Sequence, residues 1–126
     1  MELSQIKDTI LKNIEIATKE KGYTLTKGVW GSNPHKCACA LGCVLIANDK
    51  DPAITPFKQL EEILGVSPEW SNEFVKGFDG LTMTNITIED ARSLGEEIAK
   101  ELNAPPFLQK AMEKVEKELK ETKENN

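Results

Sequence analysis

Eleven consecutive positions, Cys37 to Ala47, carry no charged or amide-bearing side chain: Cys-Ala-Cys-Ala-Leu-Gly-Cys-Val-Leu-Ile-Ala. A helix that is apolar on every face is stable only when it is surrounded. This run is therefore expected to be the buried centre about which the rest of the chain packs. It is far short of the ~20 residues that span a bilayer, so no membrane association is expected. Asn33-Pro34 reads as the helix start, with Asn as cap and Pro where no amide donor is missed. Asn48-Asp49-Lys50-Asp51-Pro52 reads as the turn that ends it.

The flanking segments carry one apolar face each, as helices covering a centre would. From Leu3 to Lys21 the apolar positions are Leu3, Ile6, Ile10, Ile14 and Ala17, spaced by three and four residues, with Ser4 as cap and Gly22 as stop. Thr55-Pro56 opens a helix bearing Phe57, Leu60, Ile63 and Leu64, closed by Gly65. Ser67-Pro68 opens another bearing Trp70, Phe74, Val75 and Phe78, closed near Gly77. Thr87 with Asp90 resembles a capping box and starts a helix with Ala91, Leu94, Ile98 and Leu102 inside. After Asn103, Pro105 and Pro106 a last helix, 107–122, carries Leu108, Ala111, Met112, Val115 and Leu119. Tyr23-Thr24-Leu25-Thr26 and Leu81-Thr82-Met83-Thr84 alternate as strands do and are the two arms of a candidate ribbon. The expected fold is mainly α: one compact domain over 1–122, about six helices, room for one minimal two-stranded β ribbon, and a frayed tail over 123–126.

Leu, Ile, Val and Phe make up 31 of the 126 residues, enough to argue against global disorder. The net charge of −5 and the absence of a Lys/Arg cluster argue against binding nucleic acid by phosphate neutralisation. The opening Met-Glu-Leu-Ser-Gln has neither the basic nor the apolar region of a secretory signal. Three closely bunched cysteines suit a reducing compartment, and the expected location is the cytoplasm.

His35, Cys37, Cys39 and Cys43 include every cysteine and the only histidine. Three thiolates and one imidazole form a complete zinc ligand set. On a continuous helix, however, Cys39 and Cys43 share a face while Cys37 lies about 200° from Cys39. An unwound turn over residues 35–38, or two chains sharing an ion, would lift that objection. A second reading treats the cysteines as small hydrophobes in a crowded helix. A third makes Cys37 or Cys39 a reactive thiol, its pKa lowered by helix N-terminal amides and by His35 or Lys36. His35 is the only available imidazole base and lies too close in sequence to Cys37 to aim at it freely. Cys37–Cys39 is too tight for an unstrained disulfide, and Cys39–Cys43 would strain a regular helix.

Other candidates are weaker. Asp49 and Asp51 do not meet the spacing of a calcium loop. Gly77-Phe78-Asp79-Gly80 can place the Asp79 carboxylate at a cleft mouth or simply form a helix end and turn. Trp30, flanked by glycine, is either a lid over the core or an exposed contact; Trp70 suits packing, with Phe74 four residues on. No phosphate loop, dinucleotide fingerprint, nucleophile elbow or metalloprotease motif is present.

Trp30-Gly31, then Cys39-Ala40-Leu41-Gly42-Cys43-Val44-Leu45, then Leu64-Gly65 and Trp70 resemble a group of small bacterial and phage helical proteins sharing a tryptophan followed by C-A-L-G-A-L. Cys43 stands where that pattern has alanine, which favours a packing role for this thiol. The resemblance carries no activity. The expected function is a non-enzymatic interaction or regulatory module without cofactor, binding another protein or itself, with Trp30, His35, Cys37, Cys39 and Asp79 as candidate binding residues. The alternative is a metal- or thiol-dependent protein with zinc on His35, Cys37, Cys39 and Cys43.

Overall fold

The computed structural model describes residues 2–32, 34–81 and 88–106. The expected Asn33 cap, most of the Leu81–Thr84 arm, the Thr87 cap, helix 107–122 and the tail 123–126 lie outside the described residues. Within them the protein is mainly helical, with one small sheet.

Helix α1 runs Leu3–Glu15 and continues as a π-helical turn, Ile16–Glu20. Its start is Glu2 rather than Ser4. Glu2 is extended, its amide donates to Gln5 Oε1 at 3.0 Å, and its own side chain caps in return, a reciprocal arrangement one residue type removed from the usual Ser/Thr box. Ile6, Ile10, Ile14 and Ala17 are buried as their spacing requires, whereas Leu3 is 41% exposed. Thr18 Oγ1 donates back to Ile14 O at 2.8 Å where the helix widens, and left-handed Gly22 ends it.

Three two-residue strands come next: β1 Thr24–Leu25, β2 Gly31–Ser32 and β3 Cys37–Ala38. Their order is β1-β3-β2. Thr24 and Leu25 pair in parallel with Cys37 and Ala38; Gly31 and Ser32 pair antiparallel with Ala38 and Cys37. One expectation is thereby corrected: Cys37–Ala38 is the central strand rather than the first turn of the buried helix. Thr24–Leu25 pairs with this cysteine segment, while the pairing expected with Leu81–Thr84 falls largely on residues outside the described ones. A short run that is apolar on both faces suits a central strand as well as a helix, and periodicity alone does not separate them. The backbone does: Lys36 is left-handed (φ 53°), the amides of Thr24 and Thr26 donate to Lys36 O and Ala38 O, and the Cys39 amide donates to Val29 O. The chain is committed to sheet pairing before a helical turn can form.

Helix α2, Ala40–Ala47, then runs through the centre with Ala40 to Ile46 buried. Helices α3 (Pro56–Leu64), α4 (Pro68–Asp79) and α5 (Glu89–Leu102) complete the described frame. Ser67 Oγ accepts the Trp70 amide at 3.1 Å, the expected cap. Thr55 holds the corresponding place before α3 but is left-handed and makes no side-chain cap bond; Gln59 Nε2 instead donates to Asp51 O and Ile54 O. Helix α4 runs past Gly77 to Asp79, with left-handed Gly80 as its end. Gly77 serves packing: a Cβ there would overlap Arg92 O, and one at Gly95 would overlap Phe74 O. Helices α4 and α5 thus meet backbone to backbone.

One core joins these elements. Ile6, Ile10 and Ile14 of α1, Leu41, Val44 and Leu45 of α2, Leu60 and Leu64, Phe74 and Phe78, and Ala91, Leu94 and Ile98 belong to a single buried cluster. Trp70, Phe74 and Phe78 stack in sequence, with centroids 5.5 and 6.3 Å apart. Leu102, expected inside, is 42% exposed. At the surface Lys7 Nζ bridges Glu97 at 2.8 Å and Glu101 at 3.1 Å, linking α1 to α5. Among the described residues no helix is long and apolar enough to cross a membrane.

Candidate functional site

The cysteine segment turns from strand to helix within the core. Cys37, on β3, is 3% exposed, and its thiol donates to His35 O at 3.4 Å. Cys39 is the N-cap of α2. Its extended backbone leaves Sγ facing the first helical turn, where it accepts the Gly42 amide at 3.4 Å. Cys43, one turn further on, is fully buried, and its thiol lies 4.0 Å from Ala38 O. All three are thiols rather than disulfides.

Burial pushes the Cys39 thiol up to about 12, against the opposing pull of the Gly42 amide, and the Asp79 charge raises it further. The Cys43 thiol is pushed up as well, by burial first and then by Cys39. The helix N-terminus does reach Cys39, as the reactive-thiol reading requires, but desolvation outweighs it. A thiolate in a closed apolar site loses its hydration, and the backbone amides of Gly42, Leu41 and Cys39 itself do not make up for it.

The remaining candidates surround this segment without converging on one point. His35 Nδ1 and Ser32 Oγ are hydrogen-bonded at 2.9 Å across the turn between β2 and β3. Trp30 packs edge-on against Phe57, centroids 5.4 Å apart, and its carbonyl oxygen occupies the space a Cβ at position 42 would need. Its backbone therefore presses on α2 while its ring is half-buried against α3. Asp79, the last residue of α4, accepts the Gly28 amide at 2.8 Å and ties the β1–β2 loop to α4. Burial raises its carboxyl above the usual range, against the Gly28 hydrogen bond and the Lys27 charge. Among the described residues no three His, Cys, Asp or Glu side chains are placed to hold a metal ion.

A second locus was not legible as a motif. Lys21, Tyr23, Lys36, Asp49, Lys50 and Asp51, with Ile46 and Pro52, line a cleft of about 390 Å³. Lys21 Nζ pairs with Asp49 Oδ1 and holds that carboxyl below the usual carboxylate range. Lys36 Nζ stands 5.0 Å from the centre of the Tyr23 ring, within cation–π range. Asp51 Oδ1 accepts the Ala53 amide at 2.9 Å. The three lysines are 15 and 14 positions apart in sequence, so no basic cluster marks them. Their shared signal is position, each beside a helix end or tight turn.

No family model, no curated protein and no solved structure matches the chain.

Proposed function

We propose that the protein is a non-enzymatic interaction module of the cytoplasm, acting without a cofactor and recognising another protein or a second copy of itself. One observation carries this reading: the segment richest in chemically capable side chains is built into the core. Cys37, Cys39 and Cys43 are each at most 3% exposed, and for Cys39 and Cys43 burial disfavours the thiolate that metal binding or nucleophilic attack would need. The sequence adds an excess of acidic residues and the amphipathic pattern of residues 107–122, whose apolar positions include Val115 and Leu119. An amphipathic helix laid in a partner's groove is a common mode of recognition. Reduced, buried thiols also suit the cytoplasm.

The test has two arms. Thiol titration of native protein purified without chelator, with metal analysis of the same sample, is expected to show no fast thiol and no stoichiometric metal, and three thiols after denaturation. One fast native thiol or stoichiometric zinc would overturn the reading in favour of the His35, Cys37, Cys39 and Cys43 alternative. In the second arm, Val115→Glu with Leu119→Glu is expected to abolish self-association or partner binding, with the circular dichroism of the monomer retained. Unchanged association would remove that face from the proposal.

A further inference from the structure

We infer that the cleft bounded by Lys21, Lys36 and Lys50 is a binding site for a phosphate monoester, the compact dianion of a phosphorylated side chain on a partner protein. The inference rests on the interaction reading above and adds to it a recognition site of defined chemistry.

Three local backbone departures meet at this one cleft. The π-helical turn Ile16–Glu20 directly precedes Lys21. A π turn takes one more residue than an α turn and so rotates the chain beyond it, and such turns recur at functional sites. Lys36 is left-handed at φ 53°, and Asp49 at φ 60°. A non-glycine residue in that region is held there by its surroundings against a local cost, and such residues gather at binding sites. A lysine has no side-chain means of easing this conformation, unlike Asn or Asp. Each departure delivers a lining residue: Lys21 past the wide turn, Lys36 from the β2–β3 turn, Asp49 and Lys50 from the end of α2. Core pairing anchors the two sides, through Thr24 to Lys36 O and Lys50 to Leu45 O.

The charges select the ligand. Three lysines and two aspartates line the cleft in a chain whose net charge is −5. Asp49 is already paired with Lys21, and Asp51 is engaged by the Ala53 amide. Lys36 and Lys50 are exposed, come from separate segments of chain and line the same cleft. A dianion gains from both, whereas a carboxylate offers half the charge. The acidic exterior opposes extended polyanions such as nucleic acid or an anionic bilayer, which would contact far more than the cleft. A compact ligand avoids that repulsion.

The test is a titration of the isotope-labelled full chain with O-phosphoserine and, separately, inorganic phosphate, monitored by amide shifts at constant ionic strength. Saturable shifts confined to residues 21–23, 36 and 49–51 are expected with both probes. Lys36→Asn, which keeps a residue tolerant of the left-handed backbone, and Lys50→Gln should each weaken binding by about tenfold. Lys58→Gln on α3 should leave it unchanged. Absence of saturation, shifts spread over all lysines, or an equal loss in the Lys58 variant would overturn the site, and a response to inorganic phosphate alone would overturn the monoester assignment. The Val115 and Leu119 variants are read by association and not by these shifts, so failure of the cleft and failure of the interaction reading are separable.

Discussion

Cys39 and Cys43 show how the same side chain does two jobs four residues apart. Cys43 is fully buried on α2 with only a 4.0 Å contact to a carbonyl; Cys39 caps the helix and accepts the Gly42 amide. Serine should separate them. At position 43 a hydroxyl enters a site with no good partner, and Cys43→Ser is expected to cost about 1–3 kcal/mol in denaturant unfolding. At position 39 serine is a preferred cap residue, so Cys39→Ser should cost clearly less. Equal losses at the two positions would contradict the capping role. The composition of the segment was readable in the sequence; the roles were not, because the helix boundary that divides them depends on whether residue 37 pairs in a sheet.

Among the elements, the α4–α5 contact is the most revealing. Gly77 and Gly95 let the two backbones meet, each occupying a place where a Cβ would overlap the other helix's carbonyl oxygen. Alanine is the better helix former by about 1 kcal/mol, so on an isolated helix Gly77→Ala and Gly95→Ala would stabilise. Here each is expected to lower the melting temperature, because overpacking costs about 1–3 kcal/mol and the opposing atoms are backbone. An unchanged or raised melting temperature would show that the helices can separate freely. In sequence Gly77 reads as a helix stop, the usual meaning of glycine near a helix end. The true stop, Gly80, was three residues on, and nothing local distinguishes a glycine needed for its dihedral angles from one needed for its missing side chain.

For the whole molecule, α2 is the element the others enclose. Helices α1, α3 and α4 all pack against it, and β3 leads directly into it. The amides of Val44 and Leu45 are therefore expected to exchange hydrogen only through global unfolding, while those of the exposed α2–α3 connection exchange by local opening. Exchange of α2 amides as fast as that loop would overturn the central placement. Such a centre was already implied by eleven residues without a polar group. Apolar spacing likewise sufficed to place α1, α3, α4 and α5, since burial of one face at a period of 3.6 is a local signature of a helix covering a core. Which segments pair in the sheet, where the central helix begins, and which lysines share a cleft were decided only in three dimensions. Each depends on contacts between residues distant in the chain, such as Thr24 with Lys36 and Lys21 with Asp49. Spacing along a sequence records which face a residue presents, but not what it meets.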